Sequence, residues 1–469
     1  MKIYNTLTRT KEEFRPRIPG EIRMYVCGVT VYDLCHIGHA RSAIVFDVIR
    51  RYLVSKGHRV TFVKNFTDVD DRIIKRANEQ GAPAEEISER YITEFYRDMD
   101  AIGVLRADVE PKATDHVPEM IALIEHLVAG GFAYGVDGDV YFEIRRFPRY
   151  GQLSGKNLDD LLAGARVEVD ERKRDPRDFA LWKTAKPGEP AWESPWGRGR
   201  PGWHIECSAM AMKYLGASFD LHGGGEDLIF PHHECEIAQS EAVTGQPFAR
   251  YWVHNGFVNF GAEKMSKSVG NTLLIREVVK RHEPDALRLW LLGTHYRNPV
   301  EFAEERLREA ARALERFHRL LQDARPFRGG PPIDAAAPPP EIAAFRDRFE
   351  SAMDDDFNTP QALGVLFELS HALSEQRDDA VTDARARQLL LSGLGELGRL
   401  ARVLGLLERG VEPSGPPPEV ERLVAERVEA RKRRDWKRSD ELRDTIQRLG
   451  WAVEDTPSGP RVSRRSTGG

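Results

Sequence analysis

Between a predicted strand and a predicted helix, residues 27–39 read C-G-V-T-V-Y-D-L-C-H-I-G-H. Residues 21–28 alternate in the manner of a strand, and apolar residues recur over 40–56 at the spacing of one helical face. A second strand is predicted over 58–63. A strand–helix–strand unit of this length indicates a parallel sheet, in which ligands bind at the carboxyl ends of the strands. The sequence therefore predicts a nucleotide-binding α/β fold.

The composition is typical of a soluble protein with several domains. At 469 residues the chain is too long for one hydrophobic core, and about two to four domains are expected. Hydrophobic residues make up 41%, but no run of about 18 apolar residues occurs, so no membrane-spanning helix is expected. The N-terminus lacks the apolar core of a secretory signal, which predicts a cytoplasmic protein. The net charge is only −5, so a nucleic-acid partner would have to bind a local basic patch.

Two proline-rich segments, 326–340 and 412–419, indicate boundaries between domains. The chain before about residue 275 alternates strands and helices, whereas the chain after it is almost entirely helical in pattern. We predict an α/β protein: a Rossmann-like parallel-sheet catalytic domain with an insertion, then an α-helical bundle and a small C-terminal domain. The predicted boundaries are 1–270 with the insertion at about 115–200, then 271–411 for the linker region and bundle, and 419–469.

Two short motifs could bind a polyphosphate. His36-Ile37-Gly38-His39 lies at the strand-to-helix junction, where imidazoles meet the free amides of a helix start and Gly38 leaves room for a nucleotide. Residues 264–268 read Lys-Met-Ser-Lys-Ser, and the ammonium groups of Lys264 and Lys267 could offset charge on a leaving pyrophosphate. Taken singly, the first motif is more simply a turn with exposed histidines and the second a solvated loop. Their occurrence together on a parallel sheet favours an ATP site.

Together the two motifs resemble the signatures of class I aminoacyl-tRNA synthetases. Three segments are similar to the cysteinyl-tRNA synthetase family of that class: YVCGVTVYDLCHIGHAR (25–41), GWHIECSAM (202–210) and GGGEDLIFPHHECEIAQS (223–240). The similarity extends over nearly the whole chain. It implies that L-cysteine is activated with ATP to cysteinyl-adenylate and transferred to the 3′ end of tRNA(Cys). The residues that would position and stabilise the triphosphate, with Mg²⁺, are His36, His39, Lys264 and Lys267.

The resemblance also implies one zinc site, whose ligands would be Cys27, Cys207, His232 and Glu236. Two thiolates, an imidazole and a carboxylate form a plausible donor set for Zn²⁺. His232 and Glu236 are four positions apart on a helix predicted to follow Pro231, so both would project from one face. The cysteines lie 180 positions apart, and spacing alone does not pair them. The alternative is a pair of core cysteines beside a polar helix start.

A zinc ligand set would explain selection of cysteine over serine. Apolar contacts discriminate weakly between near-isosteres, but zinc prefers a soft thiolate. A thiol ionises near pH ~8.5, which is low enough for a bound metal to deprotonate it, whereas an alcohol resists ionisation. We therefore expect the substrate thiolate to become an additional metal ligand.

Four residues within the similar segments are candidates for substrate contacts. Gly28, Thr67 and Trp203 are expected to line the amino-acid pocket, and Asp227 is expected to contribute to the ATP site. Packing or helix capping would explain Thr67, Trp203 and Asp227 equally well.

Three other residues adjoin the motifs without a predicted role in metal binding. Only four cysteines occur, too few for a disulfide framework, and the roles of Cys35 and Cys235 stay open. Cys235 stands where the family more often has asparagine and is interpreted as incidental. His233 is adjacent to an implied ligand but is expected to point elsewhere on the helix.

The last third of the chain has features that suit RNA. Asp285-Ala286-Leu287-Arg288 resembles the family's signature for its anticodon-side bundle. From residue 421 to the end, 13 Lys and Arg stand against 9 Asp and Glu, and RKRRDWKR (431–438) sets an aromatic ring among cations. A charged, solvated helix would explain the same composition. The sequence that follows, 438–462, is similar to the family's small anticodon-recognition domain, which favours tRNA as partner; a monomer is expected.

Two alternatives keep part of this interpretation. A cysteine ligase of the same catalytic type could transfer the adenylate to a small amine such as an amino sugar, but it would not need the basic C-terminal region. A non-catalytic, zinc-containing RNA-binding regulator would have no reason to keep both ATP motifs. Cysteine-dependent ATP–pyrophosphate exchange, followed by charging of tRNA, separates the three.

Overall fold

The structure is a computed structural model, and its chain divides into two compact units, Met1–Glu408 and Arg409–Gly469. It describes residues 1–156, 171–260, 263–264, 273–324, 338–408, 418–456 and 459–464. The proline-rich segments 326–340 and 412–419 lie mainly outside the described residues. The predicted domain boundaries therefore remain predictions.

Strands and helices alternate through the first part of the first unit, and helices follow. Its strands are β1 (Lys2–Asn5), β2 (Thr10–Glu13), β3 (Glu21–Thr30), β4 (Arg59–Thr67), β5 (Ala133–Val136), β6 (Asp139–Phe142), β7 (Phe179–Thr184), β8 (Gly199–Pro201), β9 (Phe219–Gly225), β10 (Ala249–Asn255), β11 (Val258–Phe260), β12 (Glu263–Lys264) and β13 (Val300–Glu301). Its helices are α1 (Ile37–Ser55), α2 (Asp71–Gln80), α3 (Ala84–Ala101), α4 (Val117–Ala129), α5 (Trp203–Leu215), α6 (Glu234–Thr244), α7 (Ile275–Val279), α8 (Pro284–Leu292), α9 (Glu304–Asp323), α10 (Pro340–Asp354), α11 (Thr359–Asp379) and α12 (Ala384–Val403).

The centre of this unit is a parallel sheet with the strand order β10-β9-β3-β4. α1 connects β3 to β4 and contacts both the sheet and α12, so most of its apolar residues are buried. Gly57, with φ +87°, follows the end of α1 in the left-handed conformation that glycine favours. The predicted α/β fold class is confirmed, and parallel strands with buried faces explain why the strand sequences are so apolar.

The remaining elements of the first unit are built around this sheet. An antiparallel sheet, β5-β6-β7-β8, occupies much of the predicted insertion and has its own buried aromatic residues, including Phe142 and Trp182. β11 pairs with β12 and β13. From α8 onward the described chain is almost entirely helical, as the pattern predicted.

The second unit is small and has a separate apolar core. Its elements are α13 (Pro418–Lys432), α14 (Trp436–Arg448), β14 (Trp451–Thr456) and β15 (Gly459–Arg464). The two strands form an antiparallel hairpin, and Leu442, Ile446 and Trp451 are among the residues of its core. Among the helices that the structure describes, none has the length and apolarity that a bilayer span requires.

One predicted helix has different bounds in the structure. The helix predicted from Pro231 begins at Glu234, because Phe230 has extended backbone angles (φ −140°, ψ 132°) and the turn before the helix is irregular.

The strands β10 and β11 are separated by a short break at Gly256. A Cβ on Gly256 would lie 2.5 Å from the carbonyl carbon of Asn298, so this close approach of two backbones requires glycine.

Candidate active site and metal centre

A cleft of about 440 Å³ opens at the carboxyl ends of the central strands. Side chains from β3, β4, α1 and the start of α5 line it, together with the chain that follows β9 and β10. It brings together several residues that the sequence analysis singled out: Cys27, Gly28, His36, His39, Trp203 and Asp227. These residues come from three distant parts of the sequence, and the parallel sheet places them at one edge.

The paired histidines form the start of α1. His36 is the N-cap: its Nδ1 accepts a hydrogen bond from the Gly38 amide at 3.1 Å, and the Nδ1 of His39 accepts one from the His36 amide at 3.1 Å. This reciprocal arrangement is a capping box built from imidazoles. It orients both rings beside the free amides of the helix start, which is a favourable position for phosphate.

Four candidate metal ligands meet at the base of the cleft. The ligand atoms of Cys27, Cys207, His232 and Glu236 all lie within 4.8 Å of one another. Oε1 of Glu236 is 3.2 Å from the Cys27 sulfur and 3.1 Å from Nε2 of His232. Cys27 is 8% exposed and lines the cleft, whereas the other three are at most 1% exposed, so a metal held here would be reached from the cleft.

The pKa shifts of the four clustered side chains are those expected of a site that binds a cation. Burial and the neighbouring Cys207 raise the pKa of Cys27 well above its usual value. Burial would also raise the pKa of Cys207, but a hydrogen bond from Cys27 and the charge of His232 lower it to about 6. Burial opposes a charge on His232, yet Cys207 and Glu236 raise its pKa to about 10. Without metal, a proton on His232 therefore offsets part of the negative charge on Cys207 and Glu236. A divalent ion with soft and borderline ligands would replace that proton, and this donor set fits Zn²⁺.

Two further histidines, His204 and His222, contact the candidate ligands His232 and Glu236. Nδ1 of His204 is 2.9 Å from Nδ1 of His232, so the nitrogen of His232 that faces away from Glu236 is engaged. Nε2 of His222 is 2.8 Å from Oε2 of Glu236, and the His222 ring stacks on Trp252 at 4.4 Å. Outer partners of this kind fix the orientation of metal ligands. Sequence reasoning missed His222, although a histidine inside the buried strand β9 was a signal.

The prediction that His233 points away from the cluster is wrong. Its Nε2 lies 3.9 Å from Oε1 of Glu236, and its Nδ1 is 2.8 Å from Nε2 of His254. Cys27, His222, His233 and Glu236 therefore form a second group with metal-ligand spacing that shares two members with the first. We favour the first group, because it has two sulfur ligands, whereas the second has one.

The candidate substrate-binding residues have different positions. Trp203 lines the cleft and its ring lies 4.3 Å from that of His232. Gly28 also lines it. Thr67 is buried and absent from the cleft lining in the described chain; its hydroxyl donates to Oε2 of Glu206 at 2.9 Å. The hydroxyl of Thr67 is already hydrogen-bonded to Glu206. This position supports a packing role for Thr67 rather than direct contact with the substrate.

The lysine motif is only partly described. Lys264 ends β12, where it pairs with Asn259 of β11, and Lys267 lies outside the described residues. The described chain on the far side of the motif returns to the histidine turn: the Ile37 amide donates to the Leu273 carbonyl at 3.0 Å. Both described flanks of the motif therefore belong to elements that border the cleft.

The two remaining cysteines are buried away from the ligand set. Cys235 contacts the Tyr150 hydroxyl at 3.3 Å, and Cys35 packs in the main core. Neither belongs to a metal-spaced group among the described residues.

Comparison with known proteins identifies the family. The model of the "tRNA synthetases class I (C) catalytic domain" matches residues 13–312, the "DALR domain" matches 348–408, and the "Cysteinyl-tRNA ligase anticodon binding domain" matches 414–461. The cysteine–tRNA ligase of Geobacter metallireducens is 51% identical over 477 residues, and that of Geobacter sulfurreducens is 52% identical over 479; each alignment covers 98% of both chains. The chain belongs to the cysteine–tRNA ligase family. The resemblance inferred from the motifs is confirmed, and the protein is a class I aminoacyl-tRNA synthetase.

Solved structures show the same fold in more distant members of the class. Mycobacterium tuberculosis methionyl-tRNA synthetase bound by methionyl-adenylate aligns with a TM-score of 0.60 at 16% identity, over 82% of this chain and 91% of that one. An Agrobacterium radiobacter LeuRS–tRNA–LeuAMS complex aligns with a TM-score of 0.58 at 13% identity, over 84% of each chain. At such identities the likeness concerns the fold alone.

Proposed function

We propose that the protein activates L-cysteine with ATP and transfers the cysteinyl group to the 3′ end of tRNA(Cys). The observation that carries this proposal is the joining of two sites in one cleft. The cysteine- and histidine-containing cluster lies at the base of the cleft, and the histidine-capped start of α1 lines the same cleft. A small amino acid can therefore reach a sulfur-binding site with one end and a phosphate-binding site with the other.

The activation step requires positioning more than proton transfer. A carboxylate oxygen of cysteine forms a bond to the α-phosphorus of ATP, and the bond from that phosphorus to the bridging oxygen breaks as pyrophosphate leaves. His36 and His39 would hold the phosphates at the start of α1, and Lys264 and Lys267 would offset the charge of the leaving group, with Mg²⁺. No side chain is needed as a covalent nucleophile. Asp227, at the rim of the cleft, is proposed to contact the ATP ribose side.

The substrate thiol would be selected at the base of the cleft. Cys27, Cys207, His232 and Glu236 would hold Zn²⁺, which supplies a Lewis acid that favours a thiolate over an alcohol. Trp203 lines the pocket beside His232, and Gly28 lines it along β3. Because His204 and His222 fix His232 and Glu236, the donor set is held in place before the substrate enters.

The tRNA partner is proposed to contact the second unit. Trp436, at the start of α14, is 57% exposed, and the guanidinium of Arg431 lies 5.6 Å from its ring. An exposed aromatic among cations suits a stacked base beside a phosphate. We propose that the protein acts as a monomer in the cytoplasm.

Two assays test this function in sequence. Purified protein should catalyse cysteine-dependent ATP–pyrophosphate exchange and should then charge tRNA in an unfractionated preparation with cysteine. Exchange without charging would favour transfer to a small amine, and a lack of exchange would favour a non-catalytic RNA-binding protein. Serine in place of cysteine serves as the matched control and should give at least about 10⁴-fold less exchange, which is the discrimination typical of an obligatory polar contact.

A further inference from the structure

A lysine interrupts the buried face of β4. Side chains on a strand alternate between its faces, so Phe62, Lys64 and Phe66 share one face. Phe62 and Phe66 are 4% and 3% exposed and belong to the main core, and Phe66 packs edge-on against Phe95 of α3. Lys64 stands between them, where a core residue would be expected. Lys64 itself is half-buried, so part of its side chain packs in the core while the rest stays accessible, and a bound anion would offset the cost of burying its charge.

Within the described chain, no carboxylate lies within the 4.0 Å of an ion pair with Lys64, and the ammonium instead sits 5.3 Å from the Phe95 ring centre. The acidic groups that act on Lys64 from farther away are the Cys35 thiol, Glu110 and Asp47. Glu110 accepts from Tyr96, and Asp47 pairs with Arg51. Burial lowers the pKa of Lys64, which is the expected effect on an ammonium without a close counter-charge.

Lys64 lines the cleft, and it also borders a smaller pocket beside Phe95 and Glu110. Its neighbours in the cleft include His39 and Ser42, which are three residues apart and therefore on one face of α1. A phosphate chain that begins at the start of α1 and follows this face would pass Lys64. The cysteine end of the substrate would lie instead at Cys27 and Trp203, beside the metal cluster.

We propose that Lys64 is a further phosphate-binding residue, which contributes its ammonium to the triphosphate of ATP and to the pyrophosphate that leaves. This inference rests on the proposed function. It adds to the two signature motifs a cation that comes from the sheet itself. Lysine suits this task, because its compact charge follows a moving phosphate without imposing a fixed hydrogen-bond geometry.

The test compares three variants of the full-length protein. Lys64→Met keeps the aliphatic stem against Phe95 and removes the charge, and Lys64→Arg restores a charge. Lys112→Met is the matched control: Lys112 lies on the chain that bridges to β4 at Phe66, is ion-paired with Glu89 and does not line the cleft. The measurements are kcat and KM for ATP, cysteine and pyrophosphate in the exchange reaction, with thermal melting of each variant.

We expect Lys64→Met to lower kcat/KM for ATP by about ten- to a hundred-fold, as for loss of one charge-assisted hydrogen bond. The KM for pyrophosphate should rise, the KM for cysteine should stay unchanged, and Lys64→Arg should recover part of the activity. Lys112→Met should match the wild type. Exchange by Lys64→Met at the wild-type rate, or an equal loss toward ATP and cysteine, would overturn the inference.

A second measurement separates the triphosphate from the phosphates of the tRNA end. Transfer of cysteine from preformed adenylate to tRNA should be unaffected by Lys64→Met. If transfer alone is impaired, Lys64 binds the tRNA end and the inference is wrong. If the wild-type protein shows no cysteine-dependent exchange, the proposed function fails instead, so the two failures are distinguishable.

Discussion

At the residue scale, the candidate metal site depends on how protons and charge are shared among four buried side chains. Glu236, whose pKa is held well below its usual value by His222 and His232 despite burial, remains an anion at the centre. The mutual attraction of Cys207 and His232 lowers the pKa of the thiol and raises the pKa of the imidazole. The cluster is therefore ready to exchange protons for a metal ion.

Cys207→Ser should weaken the binding of the metal ion. We expect loss of bound zinc, measured by elemental analysis, and a fall in cysteine-dependent exchange of about a hundred-fold or more, since outer-shell changes alone cost 10–100-fold. Selectivity for cysteine over serine should fall with it. Cys235→Ser replaces another buried cysteine that is not a candidate ligand and should keep its zinc. Unchanged zinc content in Cys207→Ser would contradict the assigned ligand set.

At the element scale, the approach of β3 to β4 depends on Gly28. The register between the two strands shifts between Val26 and Val29, and the Asn65 side chain accepts from the Gly28 amide at 2.8 Å. A Cβ on Gly28 would lie 1.5 Å from the Asn65 carbonyl oxygen. The backbone of a central strand cannot move aside as a flexible side chain can.

Gly28→Ala should therefore destabilise the protein by about 1–3 kcal/mol or more, as overpacking does. Gly364→Ala is the matched control, since a Cβ at this position inside α11 meets nothing within 4 Å. It should stabilise the helix by about 0.5–1 kcal/mol. Denaturant unfolding measures both, and equal stability of the two variants would contradict the close-approach argument.

A second element-scale feature concerns the Asp285–Arg288 signature of α8. Arg288 is fully buried, forms an ion pair with Asp47 of α1 and donates to the carbonyl of Leu404 at 2.6 Å. Asp285 accepts from the amide of Leu407 at 2.8 Å. Arg288 and Asp285 thus join α8 to α1 and to the chain that follows α12. Their side chains are used in packing and are not presented to RNA.

Arg288→Met should lower the free energy of unfolding by about 3 kcal/mol or more, because it leaves Asp47 with less charge compensation in a buried site. Adding Asp47→Asn should restore part of the loss, and the double-mutant cycle measures that coupling. Arg306→Met, which removes a surface pair with Glu309, should have almost no effect. A cycle without coupling energy would show that the buried pair does not act as a unit.

At the scale of the whole molecule, the two units have separate cores, and the proposed function places activation in the first and tRNA binding in the second. Trp436→Ala should leave ATP–pyrophosphate exchange unchanged and lower kcat/KM for tRNA by about ten-fold or more, because stacking of one base contributes about 1–3 kcal/mol. Leu449→Ala, at another exposed apolar residue of the same unit, should change neither assay. A loss of exchange in Trp436→Ala would contradict this division.

The sequence by itself determined the α/β class, the helix after β3 and the family. Periods of 2 and 3.6 residues, caps and short signatures are local, so they can be recognised without knowing where distant segments meet. The four implied metal ligands were predicted only through the family resemblance, because no local spacing joins Cys27 to Cys207.

The tertiary structure decided which side chains share a space. Strand order placed β3, β4 and β9 side by side, and thereby grouped Cys207 and Glu236 with Cys27 and brought in His222, which no motif contained. It moved Thr67 out of the cleft lining and brought Lys64 into it. Such proximities depend on sheet register and close packing between distant segments, and the local pattern of a sequence does not encode them.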